Sequence, residues 1–100
     1  MGRIRIDDID SVIHGRLRLG IMAYLADAEA AEFMELKQAL ETTQGNLSNN
    51  LITLEQAGYI AIEKSFVGRR PLTRARITSE GREAFRRYVL QMAKLVETLK

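Results

Sequence analysis

Asn46, Asn49, Asn50, Thr53 and Gln56 fall within one short segment in which Leu47, Leu51 and Leu54 keep helical spacing. At about 100° per residue the leucines share one stripe. Asn46, Asn49, Thr53 and Gln56 gather on the opposite side, with Asn50 at the margin. An Asn or Gln amide carries a donor beside an acceptor, the pair that matches N6 and N7 of adenine on the major-groove edge of DNA. A merely solvated helix face is normally richer in Lys and Glu, which form helices better than Asn. A polar surface helix with capping asparagines is the plain alternative. Downstream, Lys64, Arg69, Arg70, Arg74 and Arg76 crowd into residues 59–78, which hold a single acid, Glu63. Arg69 and Arg70 stand at a Gly68-Arg69-Arg70-Pro71 turn. Arg74 and Arg76, two apart, share one face of the strand that follows, with Ala75 and Ile77 on the other. Guanidinium groups on a protruding turn suit phosphate contact or entry into a narrow minor groove. A hairpin kept soluble by its charge is the alternative there. Thr43, Gln44 and Ser48, around the start of the same helix, complete the candidate DNA-contacting set.

Other chemistries lack their residues. The absence of cysteine removes disulfides, thiolate metal sites and nucleophilic thiols together. His14 is the one histidine, so a histidine-built metal site within one chain is excluded. His14 has no Ser, Asp or second His in a catalytic arrangement and reads as a surface or interface residue. No glycine-rich phosphate loop occurs. Asp7, Asp8 and Asp10 suggest a cation site less than they suggest a helix start. Neither an enzyme nor a cofactor-dependent protein is expected, and no metal site.

These side chains need elements to position them. A first helix is expected from the aspartates to about Ala26: Ile9, Ile13, Leu17 and Ile21 recur every fourth residue, and Leu19, Met22 and Leu25 fill its other sides. Phe33, Leu36, Ala39 and Leu40 make a short second helix. Thr43 is the N-cap expected for a third, running from Gln44 to about Ala57 and closed by Gly58. The period then changes to two over Ile60 and Ile62 and again over Leu72–Ile77, a hairpin over about 59–78. Thr78 and Ser79 are N-cap candidates for a last helix, Glu80 to about Leu99. Helix–helix–helix–strand–turn–strand–helix is the order of a winged helix-turn-helix, whose third helix enters the DNA major groove. The expected fold is mainly α with a small β-hairpin wing, in one domain spanning residues 1–100.

One hundred residues with 46% hydrophobic and 28% charged side chains can bury one ordinary core. The net charge of +2 is too small to argue from, but its distribution is uneven. Residues 26–58 hold six acids against Lys37, while the positive charge concentrates in 59–78. The longest apolar run, Leu19–Ala26, falls far short of the ~20 residues a membrane span needs. No signal-type apolar stretch precedes the acids near the N-terminus, so a cytoplasmic location without membrane contact is expected.

The last helix adds a second feature. Phe85, Val89, Met92, Val96 and Leu99 are spaced 4, 3, 4, 3, as at a helix–helix seam. A chain this short buries only about two-thirds of its unfolded surface, so pairing with a second copy would help it. Ile9 and Ile13 of the first helix are expected to join that dimer interface.

Several motifs then converge. They are Phe33-x-x-Leu36; Thr43-x-Gly45-Asn46-Leu47-Ser48-x-x-Leu51-x-x-Leu54-Glu55-x-Ala57-Gly58-Tyr59-Ile60; Lys64-x-Phe66; Pro71-x-Thr73; and Ile77-Thr78-x-x-Gly81-Arg82-x-Ala84-Phe85. Together they resemble the small single-domain winged-helix transcriptional regulators related to the MarR and ArsR families, over nearly the whole chain. The resemblance implies a homodimeric DNA-binding regulator, a repressor, with one helix per subunit in the major groove and the first and last helices forming the dimer. The position of Asn50 is often histidine in such relatives, which bears on the bases read and not on the docking mode. The metal-sensing Cys and His residues of some relatives have no counterpart here. A cleft between the first and last helices leaves room for a small apolar effector, though no residue requires one. Winged helices also serve as protein-interaction adaptors, and that is the alternative function. Arg69 and Arg70 count against it, since a neutral or apolar wing would suit an adaptor better.

Overall fold

The computed structural model describes residues 5–98. Its element order is a 3-10 turn at Ile6–Asp8, α1 Arg16–Ala28, β1 Ala30–Glu32, α2 Phe33–Ala39, α3 Gln44–Gln56, β2 Ile60–Val67, β3 Arg70–Ile77 and α4 Ser79–Thr98. The fold is the expected winged helix, with one addition. The wing hairpin gains a third, antiparallel strand, so that the sheet runs β1-β3-β2. Ile13, Ile21, Met22, Leu25, Leu36, Leu47, Leu54 and Ile60 form the centre of one core, closed by Ala75 and Ile77 from β3 and Ala84 and Tyr88 from α4. Among the described residues, no polar or charged one is buried in it.

The start of the chain departs from expectation. The aspartates do not open α1, which begins only at Arg16 behind an extended Gly15. Asp10 is occupied differently: its Oδ1 accepts the backbone N–H groups of Val12 (2.8 Å) and Ile13 (3.1 Å), an Asx-type turn that competes with helix. Its Oδ2 accepts the Tyr59 hydroxyl at 2.5 Å. Ile13 is fully enclosed by its own chain, beneath this turn.

α3 begins and ends as its sequence suggests. The Thr43 hydroxyl accepts the Asn46 N–H at 3.2 Å. At the other end Gly58 takes φ +82°, Gly58 N–H reaches the Glu55 carbonyl and Tyr59 N–H the Leu54 carbonyl. That paired bonding is a Schellman cap, which needs a left-handed residue and so favours glycine. Ile60, two residues on, starts the wing.

The base of the wing is closed by a tight clasp between the end of α3 and the start of α4. Thr78 Oγ1 donates to the Gly58 carbonyl at 2.6 Å and accepts the Gly81 N–H at 2.9 Å. Thr78 N–H in turn donates to the Tyr59 carbonyl at 3.0 Å. A Cβ on Gly81 would lie 2.0 Å from that same carbonyl oxygen. Only glycine permits this approach.

Along the hairpin, Ile60 pairs with Ile77, Ile62 with Ala75, Lys64 with Thr73, Phe66 with Pro71 and Val67 with Arg70. A two-residue loop with Gly68 at φ +65° turns the chain, the glycine-first arrangement that matches strand twist. β3 begins at Arg70 rather than beyond Pro71. Proline is tolerated there because β1 pairs only with Arg74–Arg76, leaving the strand a free edge near the tip. Burial falls off outward: Ile60 is buried, Ile62 half-buried, and Glu63–Val67 are exposed.

Two outcomes follow for stability. Gly81→Ala forces the clasp apart and should cost at least ~2–3 kcal/mol, read as a lower urea midpoint at unchanged slope. Gly45→Ala, where a Cβ meets nothing within 4 Å, should instead stabilise by up to ~1 kcal/mol. The second outcome concerns Tyr59, whose hydroxyl is pushed up to about 12, first by burial and then by its bond to Asp10. A raised phenol favours the folded state below its ordinary value near ~10, and that contribution is lost as pH rises from about 10 to about 12. Tyr59→Phe should therefore lower stability at neutral pH by ~1 kcal/mol and flatten the alkaline loss, measured by urea unfolding across that window.

Candidate nucleic-acid interface

α3 presents three strips to its surroundings. Leu47, Leu51 and Leu54 are buried. Gln44, Ser48, Ile52 and Glu55 form one flank, facing Ile62, Lys64, Pro71 and Thr73 of the wing across a groove of about 740 Å³ that α2 also lines. Asn46 and Asn50 form the opposite flank, beside Arg16, Leu17 and the α2–α3 turn. The crest between the flanks is Asn49, Thr53 and Gln56, with Asn49 and Gln56 exposed. Ile52, 50% exposed at the edge of the crest, is a candidate contact residue that the sequence reasoning missed. Its apolar type in a polar strip was the available signal, since an apolar side chain can contact the thymine methyl group, which cytosine lacks.

The polar side chains differ in what they are free to do. Asn50 donates from Nδ2 to the Asn46 carbonyl at 2.8 Å and accepts from Arg18 Nη1 on Oδ1, also at 2.8 Å. Both ends of its amide are thus engaged by the protein, leaving one N–H and one lone pair. Arg18 also donates from Nε to the Val12 carbonyl, so a single guanidinium ties the N-terminal turn to α3. Thr53 donates its hydroxyl back to the Asn49 carbonyl at 3.2 Å. Among the described residues the Asn49 side chain makes no hydrogen bond, so its donor–acceptor pair stays available. Thr43 is spent on capping and Ser48 is half-buried on the groove flank.

On the wing, Ala75 and Ile77 are buried while Arg74 and Arg76 point away from the core, as alternation requires. Arg76 is held by Glu63, Nε to Oε2 at 3.2 Å. Lys64, Arg69, Arg70 and Arg74 make no ion pair among the described residues, and all are exposed. Lys64 and Arg70 thus line the groove on the wing side, across from an α3 flank that carries Glu55, while the crest beyond that flank carries no charge.

A second surface lies on α4. Gly81, Ala84 and Tyr88 bury one face of its first half. Tyr88 is tied to the N-terminal turn by a 2.8 Å contact between its hydroxyl and His14 Nδ1. Burial, then the charge of Asp10, pushes the Tyr88 hydroxyl upward. Roughly 70–100° around the helix from that face lie Val89, 47% exposed, and Val96, 56% exposed, with half-buried Phe85 and Met92 between the two strips. Ile9 is half-buried nearby in sequence to the enclosed Ile13, which corrects the expectation for Ile13: it has no surface to offer a partner. Leu99 lies outside the described residues. Among the described residues no group of three His, Asp or Glu is placed to hold a metal ion, and no helix is long and apolar enough to cross a membrane.

A buried three-helix core, a polar third helix capped by Thr43, and a basic two-stranded wing define a winged helix domain. Residues 17–96 match the winged helix DNA-binding domain family, and the chain belongs to it. An uncharacterized protein of Methanocaldococcus jannaschii is 37% identical over 89 residues, covering 86% of this chain and 97% of that protein. The solved structure of a transcriptional regulator homologue from Pyrococcus horikoshii OT3 superposes with a TM-score of 0.86 at 28% identity, over 94% of each chain. The same fold appears in a MarR-like transcriptional regulator from Thermotoga maritima, with a TM-score of 0.61 at 24% identity over 99% of this chain and 66% of the other.

The Arg18–Asn50 link generates its own outcome. Asn50→Ala should cost ~1 kcal/mol of stability, and Arg18→Ala about as much, because each removes the other's partner. The double variant should cost less than the two summed, a coupling that urea unfolding of all four proteins measures.

Proposed function

We propose that this protein is a sequence-specific, double-stranded DNA-binding transcriptional regulator, a repressor, acting as a homodimer without a cofactor, with the whole chain serving as one domain. The observation that carries the reading is an uncharged crest on α3, in which Asn49 keeps its amide free, beside a wing whose Lys64, Arg69, Arg70 and Arg74 make no ion pair among the described residues. Phosphate contacts supply affinity and base edges supply sequence, and here the two residue types lie on separate elements. Asn49, Thr53 and Gln56 face the bases, with Ile52 against a thymine methyl group. Asn46, Gln44, Ser48 and Thr43 border them, and Asn50 acts chiefly by holding α3 against Arg18. Lys64, Arg69, Arg70 and Arg74 contact the backbone or minor groove, and Arg76 joins them only by exchanging Glu63. The similarity to the Pyrococcus horikoshii transcriptional regulator homologue supports the regulatory role.

One winged helix contacts few bases, so two copies on half-sites about one helical turn apart give the needed specificity. Val89, Met92, Val96, Phe85 and Ile9 are the surface for that pairing. An adaptor role draws support from the exposed Met34, Ile52 and Phe66, yet it leaves the free cations of the wing without a purpose.

Selection from random duplex DNA supplies the operator for the test. Arg69→Ala with Arg70→Ala should weaken binding to all sequences and make the salt slope shallower, by up to ~0.9 for each phosphate that the wing ceases to neutralise. Asn49→Ala should cost ~1–3 kcal/mol at one base position per half-site and leave nonspecific binding nearly unchanged. Duplex binding that is absent, or insensitive to salt, refutes the reading in favour of the adaptor. For the assembly, light scattering should show a dimer, and Val89→Asp with Val96→Asp should abolish it together with tight operator binding. A stable wild-type monomer would sink the homodimer.

A further inference from the structure

The tip of the wing carries apolar side chains as well as cations. Phe66 is 71% exposed and Val67 58% exposed, at the outer end of β2. Phe66 lies opposite Pro71, on the strand face shared by the Lys64–Thr73 pair and the buried Ile62–Ala75 side. Pro71 and Lys64 line the groove toward α3, so the Phe66–Pro71 pair looks to the same side as the recognition helix. Edge strands are commonly guarded by charged or short polar residues, so an exposed phenylalanine ringed by cations at this tip is a surface open to an occupant. Charge decides which: Lys64, Arg69 and Arg70 surround the tip, all exposed and none ion-paired among the described residues, while Glu63 is engaged by Arg76. An apolar side chain ringed by free cations complements a polyanion with an apolar interior. Stacked bases between two phosphate rails are such a surface.

We propose that Phe66 is a minor-groove wedge. The inference rests on the reading of α3 and the wing as the DNA-contacting surface, and extends it to a residue that contacts no base edge. Phe66 enters between two base pairs outside the stretch read by α3, partly unstacks them and bends the duplex toward its major groove. Arg69 and Arg70 hold the flanking phosphates, and Pro71 lies against the sugar wall. The groove is about 6 Å wide, too narrow for a two-stranded ribbon with ~4.8 Å between its strands plus side chains, so only the tip inserts until bending opens it. The two-residue loop at Gly68 keeps that tip slim. Pyrimidine–purine steps unstack most easily, so the wedge adds a preference for TA or CA/TG steps at a fixed distance from each half-site.

The test uses the full chain and duplexes recovered by it from a random-sequence pool, carrying a donor and an acceptor dye at the two ends. Wild-type protein should raise energy transfer, reporting a bend, and the recovered sequences should be enriched in TA or CA/TG steps at the outer positions. Phe66→Ala should return energy transfer to the free-duplex value, weaken binding several-fold and erase the step preference. Phe66→Leu, which keeps an apolar wedge, should retain most of the bend. Because Phe66 is exposed, both variants should melt as the wild type does, which excludes misfolding as the cause. Wild-type binding that leaves the duplex straight, or a bend unchanged in Phe66→Ala, overturns the wedge and leaves the DNA-binding reading standing. Loss of self-association in Phe66→Ala with DNA behaviour unchanged assigns the tip to a protein contact and overturns it equally. Failure of the wild type to bind any duplex overturns both readings at once.

Discussion

The approach of Gly81 to the Tyr59 carbonyl is the constraint on which the other placements depend. It brings the end of α3 within backbone contact of the start of α4, and Thr78 locks it with one hydroxyl serving as both donor and acceptor. Everything between Tyr59 and Thr78 is the hairpin, so clasping its two ends fixes where the wing leaves the domain. The recognition helix, the wing and the long last helix then radiate from one junction. The Schellman cap at Gly58 supplies the turn needed to reach it. Two glycines and a threonine thus orient three elements of the fold.

Division of labour in the interface follows from electrostatics. On the reading proposed above, Lys64, Arg69, Arg70 and Arg74 of the wing, which make no ion pair among the described residues, serve the phosphates. On the same reading the crest of α3 and its edge bring amides, a hydroxyl and one isoleucine to the bases, groups that carry direction or shape in place of net charge, with Glu55 off on the groove flank. The acids of α2 and its surroundings, Glu29, Glu32, Glu35 and Glu41, lie outside the crest.

Much of this was legible in the residue order, and the exceptions share a cause. α3, its Thr43 cap, the Gly58 stop, the hairpin and α4 are local features, and periodicity with capping chemistry reveals them within a residue or two. β1 was invisible because Ala30-Ala31-Glu32 has no strand propensity; it exists only because β3 offers it an edge. The late start of α1 was hidden because Asp10 looks like a helix-opening acid until Tyr59, far along the chain, binds its carboxylate. Asn50 fits the amide pattern of its helix, and its link to Arg18 across the domain adds a structural tie that spacing does not show. Where a partner is distant in sequence, composition and spacing do not reveal it. Ile13 shows the same limit: apolar spacing identifies a buried stripe but not which side of it faces a partner.

The offset between the two strips of α4 has a consequence for how such a molecule can change over time. Gly81, Ala84 and Tyr88 serve the domain, whereas Val89 and Val96 lie on a different part of the helix circumference and serve nothing inside it. Substitutions on the second strip therefore escape the selection that preserves folding. With the pairing proposed above, lineages carrying this domain would be free to redraw quaternary geometry, altering the distance and angle between two copies while each domain stays intact. New arrangements of target sites then become accessible by drift on one helix face.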